Sequence, residues 1–436
     1  MVGRMKLAII GSGIGGCSAA YFVKELIPDD MNITIFEAND RIGGRLLARK
    51  IEPVMIELGG TFFHTINQNI LEFVRKFSLE TEKFVLPVIG VWDGSKFIYK
   101  SNKSPLVTNL RLLFRYRLSA LRLHYLLKKS KREILKLYTN NHFEFAYKTC
   151  EELLNIPFIV ALKLKTLENV LLENGVSSKL IKEILEPGVR YIYHQNIDIG
   201  GFAGITTIIA SDGTPLYKLK NGNVQFNNKL IKSADADVKL KYKITKIIKT
   251  DQGTYNLTNQ KGSSEEFDAV ILAAPFEQLK IEFTNITLPE MTYRKYQKVY
   301  IKLITGLLNP QYFGLQNITD IPELLLTTAD FKGPFDNLET LGKTENGLYI
   351  YNLFATNPIT DDLVQQMFLE RIIEEDYVWE FAHPIAKPFR EFQPFILDMR
   401  LFNINTIESI ASTLETAIVA AKNVALLLKI ALAKNS

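Results

Sequence analysis

The stretch from residue 7 to residue 37 constrains the fold of this chain more than any other. It reads as a buried strand, a glycine-rich turn, a helix, and a second strand that ends in Glu37. Gly11 permits the tight turn, Gly13 lets a backbone approach a pyrophosphate, and Gly16 lets the helix pack closely on the strand. Glu37 follows Gly16 by 21 residues, close to the spacing of ~20 expected for an acid that accepts from ribose hydroxyls. The pattern predicts an α/β fold that binds a dinucleotide.

Further glycine pairs follow the acid-ended strand, at Gly43 and Gly44 and again at Gly59 and Gly60. Backbone without side chains can run beside an extended cofactor, and the N–H groups at the start of the first helix would face its phosphates. Arg45 is placed to meet a phosphate or a flavin oxygen, because a guanidinium donates several hydrogen bonds in one plane. The alternative interpretation is an ordinary surface turn with an exposed arginine.

Length and composition set wide bounds. The 436 residues predict two or three domains, and an apolar content of 47% is enough for a large core. The formal net charge of +5 favours no class of partner. Cys17 and Cys150 give no disulfide framework, which weakly indicates a reducing compartment. No apolar run reaches about 18 residues, so we expect no spanning helix, and we predict no metal site.

The apolar start of the chain is similar in composition to the core of a secretion signal. Cleavage there would remove the predicted dinucleotide turn, so we expect no cleaved signal. We therefore expect a cytoplasmic protein.

Residues 100–136 carry eleven basic side chains against one acid, Glu133. Leucines and aromatic residues alternate with the basic residues in the manner of an amphipathic helix, and the basic set is Lys100, Lys103, Arg111, Arg115, Arg117, Arg122, Lys128, Lys129, Lys131, Arg132 and Lys136. Three interpretations are open: a solvated helical face, contact with an anionic membrane surface, and contact with nucleic acid. The modest net charge and the interleaved apolar residues disfavour nucleic acid.

The middle of the chain interrupts the nucleotide-binding fold. Residues 145–210 read as helices, with Pro187 and Gly188 as a break. Strands return only after residue 235, and one buried strand ends at Ala274. An apolar helix closes the chain.

These elements predict a mixed α/β protein with two interleaved domains. The nucleotide-binding domain is discontinuous and comprises residues 1–85, 215–285 and 395–436. The substrate domain, part helix and part sheet, comprises residues 86–214 and 286–394.

The order of these elements resembles that of the flavin-containing amine oxidase superfamily. Within it, the chain is most similar to the prenylcysteine oxidases, also called prenylcysteine lyases. The resemblance covers nearly the whole length and rests on the segments 60–64, 193–195, 202–204, 221–223, 312–314 and 420–427.

The resemblance implies a Rossmann-like FAD-binding domain of the amine oxidase type. Glu37 would bind the adenosine ribose, the Val238 backbone would meet adenine, and Arg45 would lie near the pyrophosphate or the flavin. Glu415, at the start of the last helix, would reach the ribityl or phosphate region. The full set of implied cofactor residues is Gly11, Gly13, Ile14, Gly15, Gly16, Glu37, Gly44, Arg45, Gly60, Val238, Ala274, Thr413, Leu414 and Glu415.

The resemblance also implies a reaction, the oxidative cleavage of farnesyl- or geranylgeranyl-cysteine to cysteine, a prenyl aldehyde and hydrogen peroxide, with dioxygen as the acceptor. His64, Tyr193, Gln195 and Lys302 are the candidate catalytic residues. For His64 the alternative is a structural histidine, and for Lys302 it is a surface lysine. A prenyl chain presented from a membrane would give residues 100–136 a role. The animal enzymes of the family work in lysosomes, which we do not expect here.

Two other functions fit the same motifs. One is an amine oxidase or a desaturase on the same fold. The other is a non-catalytic relative that binds lipid, although intact glycines at both turns argue against it.

Overall fold

The computed structural model describes residues 4–27, 31–85, 87–139 and 142–433, and for residues 373 and 374 only the backbone. The predicted strand, turn, helix and strand are present, with the strands Met5–Ile10 and Met31–Phe36 on either side of the helix Ile14–Leu26. The two strands pair in parallel, and Leu7 and Ile9 are fully buried. The predicted α/β fold is confirmed.

Six strands form the sheet of the nucleotide-binding fold. Their order is Asp237–Lys239, Met31–Phe36, Met5–Ile10, Ala269–Leu272, Leu401–Asn403 and Ile396–Asp398. The first five pair in parallel and the last is antiparallel. All six lie in the three segments predicted for the nucleotide-binding domain. The strand Asp237–Lys239 is only three residues long, and Lys241 after it takes a left-handed φ of 53°, which does not continue a strand.

The final helix, Leu414–Ala433, packs along the first helix, Ile14–Leu26. By length and composition alone it could cross a membrane, although half of it is buried inside the protein. Ile418 and Leu428 are completely enclosed. Lys422 interrupts the apolar residues of this helix, so the helix contains no unbroken apolar run of about 18 residues. Its apolar side chains have a place in the core.

A second sheet of seven strands forms the centre of the remaining chain. Its order is Phe368–Pro384, Tyr296–Leu308, Tyr349–Ala355, Asn337–Lys343, Leu324–Thr327, Ile89–Trp92 and Phe97–Lys100. One face packs Ile301 and Leu303 in a cluster with Leu58, which directly precedes Gly59 and Gly60. The sheet therefore meets the nucleotide-binding fold at the glycine turns.

Most of the remaining helices lie between residues 105 and 209. They are Pro105–Tyr116, Leu118–Leu135, Cys150–Leu153, Pro157–Lys163, Leu167–Glu173, Ser178–Leu180, Glu186–Tyr193 and Gly201–Ile209. The predicted break at Pro187 is wrong. A π-helical turn at Ile181–Leu185 joins the helices on either side of it, and this wider turn accommodates a residue that lacks an N–H.

Short elements complete the fold. A four-stranded sheet contains Ser264–Phe267, Tyr255–Asn259, Ile244–Lys249 and Glu282–Thr284. Smaller sheets pair Ala48–Ile51 with Val54–Glu57, and Phe63–His64 and Thr81–Phe84 with Leu216–Leu219. The other helices are Gln68–Lys76, Gln225–Ala234, Phe276–Leu279 and Asp361–Met367, and 3₁₀ turns lie at Lys136–Tyr138, His142–Glu144, Pro310–Phe313, Ile318–Asp320 and Ile407–Ser409.

Candidate cofactor site and active site

The first two glycine turns contact each other. The N–H of Gly43 donates to the carbonyl of Ser12 at 3.1 Å, and Gly13 and Gly43 form a parallel bridge. A Cβ on Gly44 would lie 3.0 Å from the Gly13 Cα, whereas a Cβ on Gly13 would meet only Gly44, at 3.9 Å. Backbone alone forms both walls of this space, which is what a pyrophosphate needs in order to approach.

The first helix begins at Ile14, immediately after the turn. Its opening N–H groups, including those of Gly15 and Gly16, have no partner within the helix and face the cradle. Gly11 has a φ of 111°, and a Cβ there would lie 3.0 Å from the Ala274 nitrogen. The predicted residues Ile14, Gly15 and Ala274 therefore lie around one turn.

Glu37 is buried at the end of its strand and already accepts four hydrogen bonds. Ser12 donates to it through its N–H at 3.0 Å and its hydroxyl at 2.6 Å, and Asn39 donates through its N–H at 2.9 Å and its side-chain amide at 2.8 Å. A carboxylate has about four acceptor positions. Ribose binding by Glu37 therefore requires the Ser12 hydroxyl or the Asn39 amide to move, and it stays a prediction.

Val238 lies on the edge strand of the six-stranded sheet. The neighbouring Lys239 accepts from the Glu37 N–H at 2.9 Å. Because peptide groups alternate in direction along a strand, the N–H and C=O of Val238 point away from the sheet. An adenine ring can bind to such an edge.

The start of the last helix lies beside the glycine pair Gly59 and Gly60. A Cβ on Gly60 would lie 3.5 Å from the Leu414 side chain, and a Cβ on Gly15 would lie 3.7 Å from Ala417. Thr413 caps the helix, since its hydroxyl accepts from the Thr416 N–H at 3.1 Å. The first and last helices thus direct their N-terminal ends toward the same region.

Glu415 has a different role from the predicted one. It is buried and accepts from the Asn69 N–H at 2.9 Å, the Asn69 side-chain amide at 2.7 Å, the Ile70 N–H at 3.1 Å and the Tyr138 hydroxyl at 2.8 Å. Burial raises the pKa of this carboxyl, against the effect of these donors. Glu415 caps the helix Gln68–Lys76, so the predicted contact with the ribityl chain has no support in this geometry.

Arg45 joins the second glycine turn to the residues before the last helix. Its Nη1 pairs with Glu408 and donates to Ser412 Oγ and the Ala382 carbonyl, both at 3.2 Å. Glu408 also accepts from the hydroxyls of Ser412 and Tyr296, both at 3.0 Å. The Arg45 side chain is 37% exposed and that of Glu408 only 7%. The guanidinium of Arg45 is therefore partly exposed, and the buried Glu408 holds it in place.

A second arginine supports the same carboxylate. Arg294 binds Glu277 through Nε at 2.9 Å and Nη2 at 3.0 Å, and its Nη1 lies 3.9 Å from Glu408. Burial alone would raise the pKa of Glu408, but Arg45 and Arg294 together hold it at about 2. Glu408 is therefore ionised at every physiological pH.

Tyr193 and a histidine that the sequence interpretation passed over lie next to this network. The Tyr193 hydroxyl accepts from the Ser412 N–H at 3.1 Å, and its ring lies 4.9 Å from the ring of His383. Burial, with Arg45 nearby, lowers the pKa of His383 to about 3. The buried Nδ1 of His383 has no hydrogen-bond partner. A neutral imidazole with a free nitrogen can hold a water molecule or a substrate atom.

His64 uses both ring nitrogens within the protein. The Ile66 N–H donates to Nδ1 at 3.1 Å, and Nε2 lies 3.4 Å from Asp212, which also accepts from Lys131 at 3.2 Å. Burial lowers the pKa of this imidazole, although Asp212 opposes the change. His64 ties its strand to the basic helix, and its predicted catalytic role has no support in this geometry.

Gln195 is also occupied by the backbone. Its Nε2 donates to the Pro384 carbonyl at 2.9 Å, and its Oε1 accepts from the Ala386 N–H at 2.9 Å. It fixes the segment that follows His383. Both ends of the Gln195 amide are therefore held by backbone, and its catalytic role stays a prediction.

Lys302 lies on the predicted strand, but on its other face. Its Nζ lies 3.2 Å from Asp361 and 3.4 Å from Asp376. Side chains alternate along a strand, and the neighbouring Ile301 is the one that packs toward Leu58 and the glycine turns. The structure does not bring Lys302 to the cluster around Arg45.

Comparisons with known proteins add the chemistry. A model of the prenylcysteine lyase family matches residues 99–436, and a model of the NAD(P)-binding Rossmann-like domain matches residues 9–77. The chain belongs to the prenylcysteine lyase family. Farnesylcysteine lyase from Arabidopsis thaliana is 32% identical over 97% of this chain and 87% of its own length. Prenylcysteine oxidase 1 from Pongo abelii is 28% identical over 97% and 88%.

Solved structures establish the fold of this prenylcysteine lyase family member. Cyclohexylamine oxidase from Brevibacterium oxydans superimposes with a TM-score of 0.65, at 17% identity, over 99% of this chain and all of its own. The resemblance to the prenylcysteine oxidases and to the amine oxidase fold is confirmed, and the protein is an oxidoreductase. Glu408 and His383, which no sequence motif indicated, lie within the range 99–436 that the family model covers.

Proposed function

We propose that this protein is an FAD-dependent thioether oxidase that acts on farnesyl- or geranylgeranyl-cysteine. One prenylcysteine, one water and one dioxygen give one cysteine, one prenyl aldehyde and one hydrogen peroxide. The observation that carries the proposal is the cradle of Gly13 and Gly44 with Arg45 beside it. It occurs in a chain whose relatives are named farnesylcysteine lyase and prenylcysteine oxidase.

FAD, when bound, supplies the two-electron acceptor for this reaction. The backbone of Gly13 and Gly44 would hold its pyrophosphate, the edge at Val238 its adenine, and Arg45 and the start of the last helix its ring. A guanidinium and free N–H groups stabilise negative charge that develops beside them. Glu408 keeps Arg45 in place for this task.

The side chains around the substrate have two tasks, to place the carbon next to sulfur and to deliver one water to it. His383 is suited to the second task because its pKa of about 3 keeps the ring neutral and Nδ1 has no protein partner. Tyr193 and Gln195 hold this histidine and the segment after it. Dioxygen needs no binding group of its own here.

We expect His383→Ala to lower kcat at least tenfold, since a positioned group that transfers a proton contributes roughly 10²–10⁴-fold. Because the ring is neutral above about pH 3, the pH profile of kcat should show no step from His383 between pH 5 and 8. His124→Ala, on the exposed basic helix, is the control. Steady-state kinetics from pH 5 to 8 would contradict this role if both variants kept the kcat of the parent protein.

The proposed function is tested with purified holoprotein and a substrate panel. Flavin absorption should accompany the protein, and farnesylcysteine or geranylgeranylcysteine should release peroxide, thiol and aldehyde in equal amounts. Peroxide from putrescine or cyclohexylamine alone would make the protein an amine oxidase. Bound lipid without any flavin spectrum would make it a non-catalytic relative.

We propose in addition that the basic helices dock on an anionic membrane surface. On Pro105–Tyr116 and Leu118–Leu135, large apolar side chains point into solvent: Leu106, Leu110, Leu113, Phe114, Leu118, Leu121 and Tyr125. Phe114 is 81% exposed and Leu106 70%. Exposed apolar residues among lysines and arginines match the interface of an anionic bilayer, where a prenylated substrate would concentrate.

Not every basic residue of this region is available to lipid. Arg115 binds Glu183 at 2.8 Å, Arg122 donates to the Gly175 carbonyl at 3.1 Å, and Lys131 binds Asp212. The charge test therefore uses Arg111, Lys128 and Lys129, which are exposed. The variant with all three changed to Glu should partition at least tenfold less onto vesicles of phosphatidylserine and phosphatidylcholine.

The matched control carries the same change of charge elsewhere, Lys229→Glu with Lys232→Glu and Lys261→Glu. A second variant, Phe114→Ser with Leu118→Ser, removes exposed apolar surface and should also weaken binding. Co-sedimentation that falls equally in the control would attribute the attraction to net charge and refute docking through this face.

We also propose that the protein works in the cytoplasm. Cys17 and Cys150 are both free and buried, and the anionic leaflet that the basic helices fit faces the cytoplasm. Fractionation of cells that make the protein tests this, and its recovery in a sealed lysosomal fraction would refute it.

A further inference from the structure

Polar atoms without partners are enclosed between the seven-stranded sheet and the helix Glu186–Tyr193. Asn337 and Asn352 are each 1% exposed, and both amide atoms of Asn337 and the Oδ1 of Asn352 make no hydrogen bond within the part of the chain that the structure describes. An unpaired buried polar group costs about 1–3 kcal/mol, and folded proteins keep few of them. Three such atoms on one sheet face indicate the place of a polar ligand.

The register of the sheet places both amides under the helix. Asn337 pairs with Phe354, whose ring lies 5.8 Å from the ring of His194 at the helix end. The second amide pairs with Glu339, whose carboxylate accepts from the Tyr191 hydroxyl at 3.2 Å. Directly paired residues share a face of the sheet, so both amides face the helix.

Two opposite charges lie at the end of the same helix. Arg190 donates through Nη2 to Asp336 Oδ1 at 2.8 Å and through Nη1 to Asn196 at 2.9 Å. Among the described residues, its buried Nε makes no hydrogen bond, and neither does the second oxygen of Asp336, which lies 3.5 Å from His194 Nδ1. One guanidinium donor and one carboxylate oxygen are therefore available to a ligand.

The same helix end lies close to the candidate active site. His194 directly follows Tyr193, whose ring lies 4.9 Å from the ring of His383. On the next strand, Leu326 pairs with Asn337 and so shares its face of the sheet. Leu326 belongs to an apolar cluster with Leu324. A ligand can place its polar end here, its reacting atom toward His383, and an apolar chain along the sheet.

We infer that Arg190, Asp336, Asn337 and Asn352 bind the amino-acid end of the substrate, its α-ammonium and α-carboxylate together. The inference rests on the proposed function. The free donor of Arg190 suits the carboxylate, and the free oxygen of Asp336 suits the ammonium, with the amides completing both. Arg190 and Asp336 already neutralise each other. A zwitterion, which has no net charge, keeps this buried site neutral, whereas a singly charged ligand would add a charge without a counter-charge.

The first test removes one charge from the protein and its partner from the ligand. Holoprotein and its Asp336→Asn variant are titrated with S-farnesyl-L-cysteine and with 3-(farnesylthio)propanoate, which lacks the amine. Calorimetry should show at least tenfold weaker binding of farnesylcysteine to the variant and less than a twofold change for the propanoate. An equal change for both ligands would overturn the inference, because coupling is then absent.

The second test separates recognition from folding. Asn337→Leu removes a buried group that has no partner, so the melting temperature should hold while KM for farnesylcysteine rises at least tenfold. Asn423→Leu is the matched control, since Asn423 is equally buried but exchanges two hydrogen bonds with Tyr147, at 2.8 and 2.9 Å. It should lower the melting temperature and leave KM unchanged.

The two proposals fail in different ways. If the holoprotein neither binds nor oxidises any prenyl thioether, the proposed function is wrong, and this inference is wrong with it. If prenyl thioethers react but Asn337→Leu leaves KM unchanged, only the assignment of this polar cluster is wrong.

Discussion

Glu408→Gln is expected to lower the free energy of unfolding by about 3–5 kcal/mol, the usual cost of removing one partner from a buried ion pair. Glu408 is 7% exposed and accepts from Arg45, Ser412 and Tyr296. The substitution removes the counter-charge of Arg45 and leaves the buried Arg294 with Glu277 alone. Urea unfolding at pH 7 measures the change.

Glu415→Gln is the matched control, because both glutamates are buried and the substitution is the same. Glu415 accepts only from uncharged donors, and burial raises its pKa. Neutralising it should therefore cost much less. Equal losses in the two variants would show that the charge of Glu408 contributes nothing beyond its hydrogen bonds.

The same pair predicts a pH dependence. The folded pKa of Glu408 is about 2, below its ordinary value of 4.5, so the folded state binds its proton less tightly than the unfolded state. The stabilisation is complete above pH 4.5 and is lost as pH falls from 4.5 to 2. Its size is about 3 kcal/mol. Unfolding curves between pH 6 and 3 should converge for the parent protein and Glu408→Gln.

Gly13→Ala is expected to weaken flavin binding at least tenfold while the chain still folds. A Cβ on Gly13 meets only Gly44, at 3.9 Å, so the empty fold tolerates the methyl group at a cost below about 1 kcal/mol for the changed helix cap. The same methyl group projects into the space that the pyrophosphate needs. We expect at least tenfold weaker FAD binding, about 1.4 kcal/mol.

Two further glycines calibrate this experiment. A Cβ on Gly188, inside the helix Glu186–Tyr193, would have no neighbour within 4 Å. Gly188→Ala should therefore leave the flavin unchanged and raise stability by about 0.5–1 kcal/mol, because alanine favours the helix. A Cβ on Gly16 would lie 2.0 Å from the Gly11 carbonyl oxygen, so Gly16→Ala should prevent the local fold. Full flavin content in Gly13→Ala would contradict a pyrophosphate site between the two turns.

Local signals made the nucleotide-binding fold predictable. The turn around Gly13, the strand that ends in Glu37 and the strand before Ala274 each carry their own pattern of glycines or buried residues. Gly13 and Gly44, which contact each other, are separated by only 31 positions in the sequence. The mixed α/β architecture follows from these elements and their order.

The site residues depend on long-range packing, which no local pattern contains. Lys302 lies on the predicted strand, but its face depends on which residue packs toward Leu58. Glu415 lies at the predicted helix start, but its partner is another helix. Pro187 predicts a break unless a π-helical turn precedes it. His383 is identified only by the strand pairing that carries it to Tyr193.

The contact between the first and last helices has a consequence for synthesis of the chain. Gly15, which is made early, lies against Ala417, which is made almost last. The glycine turns therefore leave the ribosome long before the helix that completes their surroundings. A chain interrupted before residue 414 would carry the turns and every strand of the six- and seven-stranded sheets, yet expose the apolar side of Ile14–Leu26. Retention of the coenzyme would then distinguish finished molecules from unfinished ones.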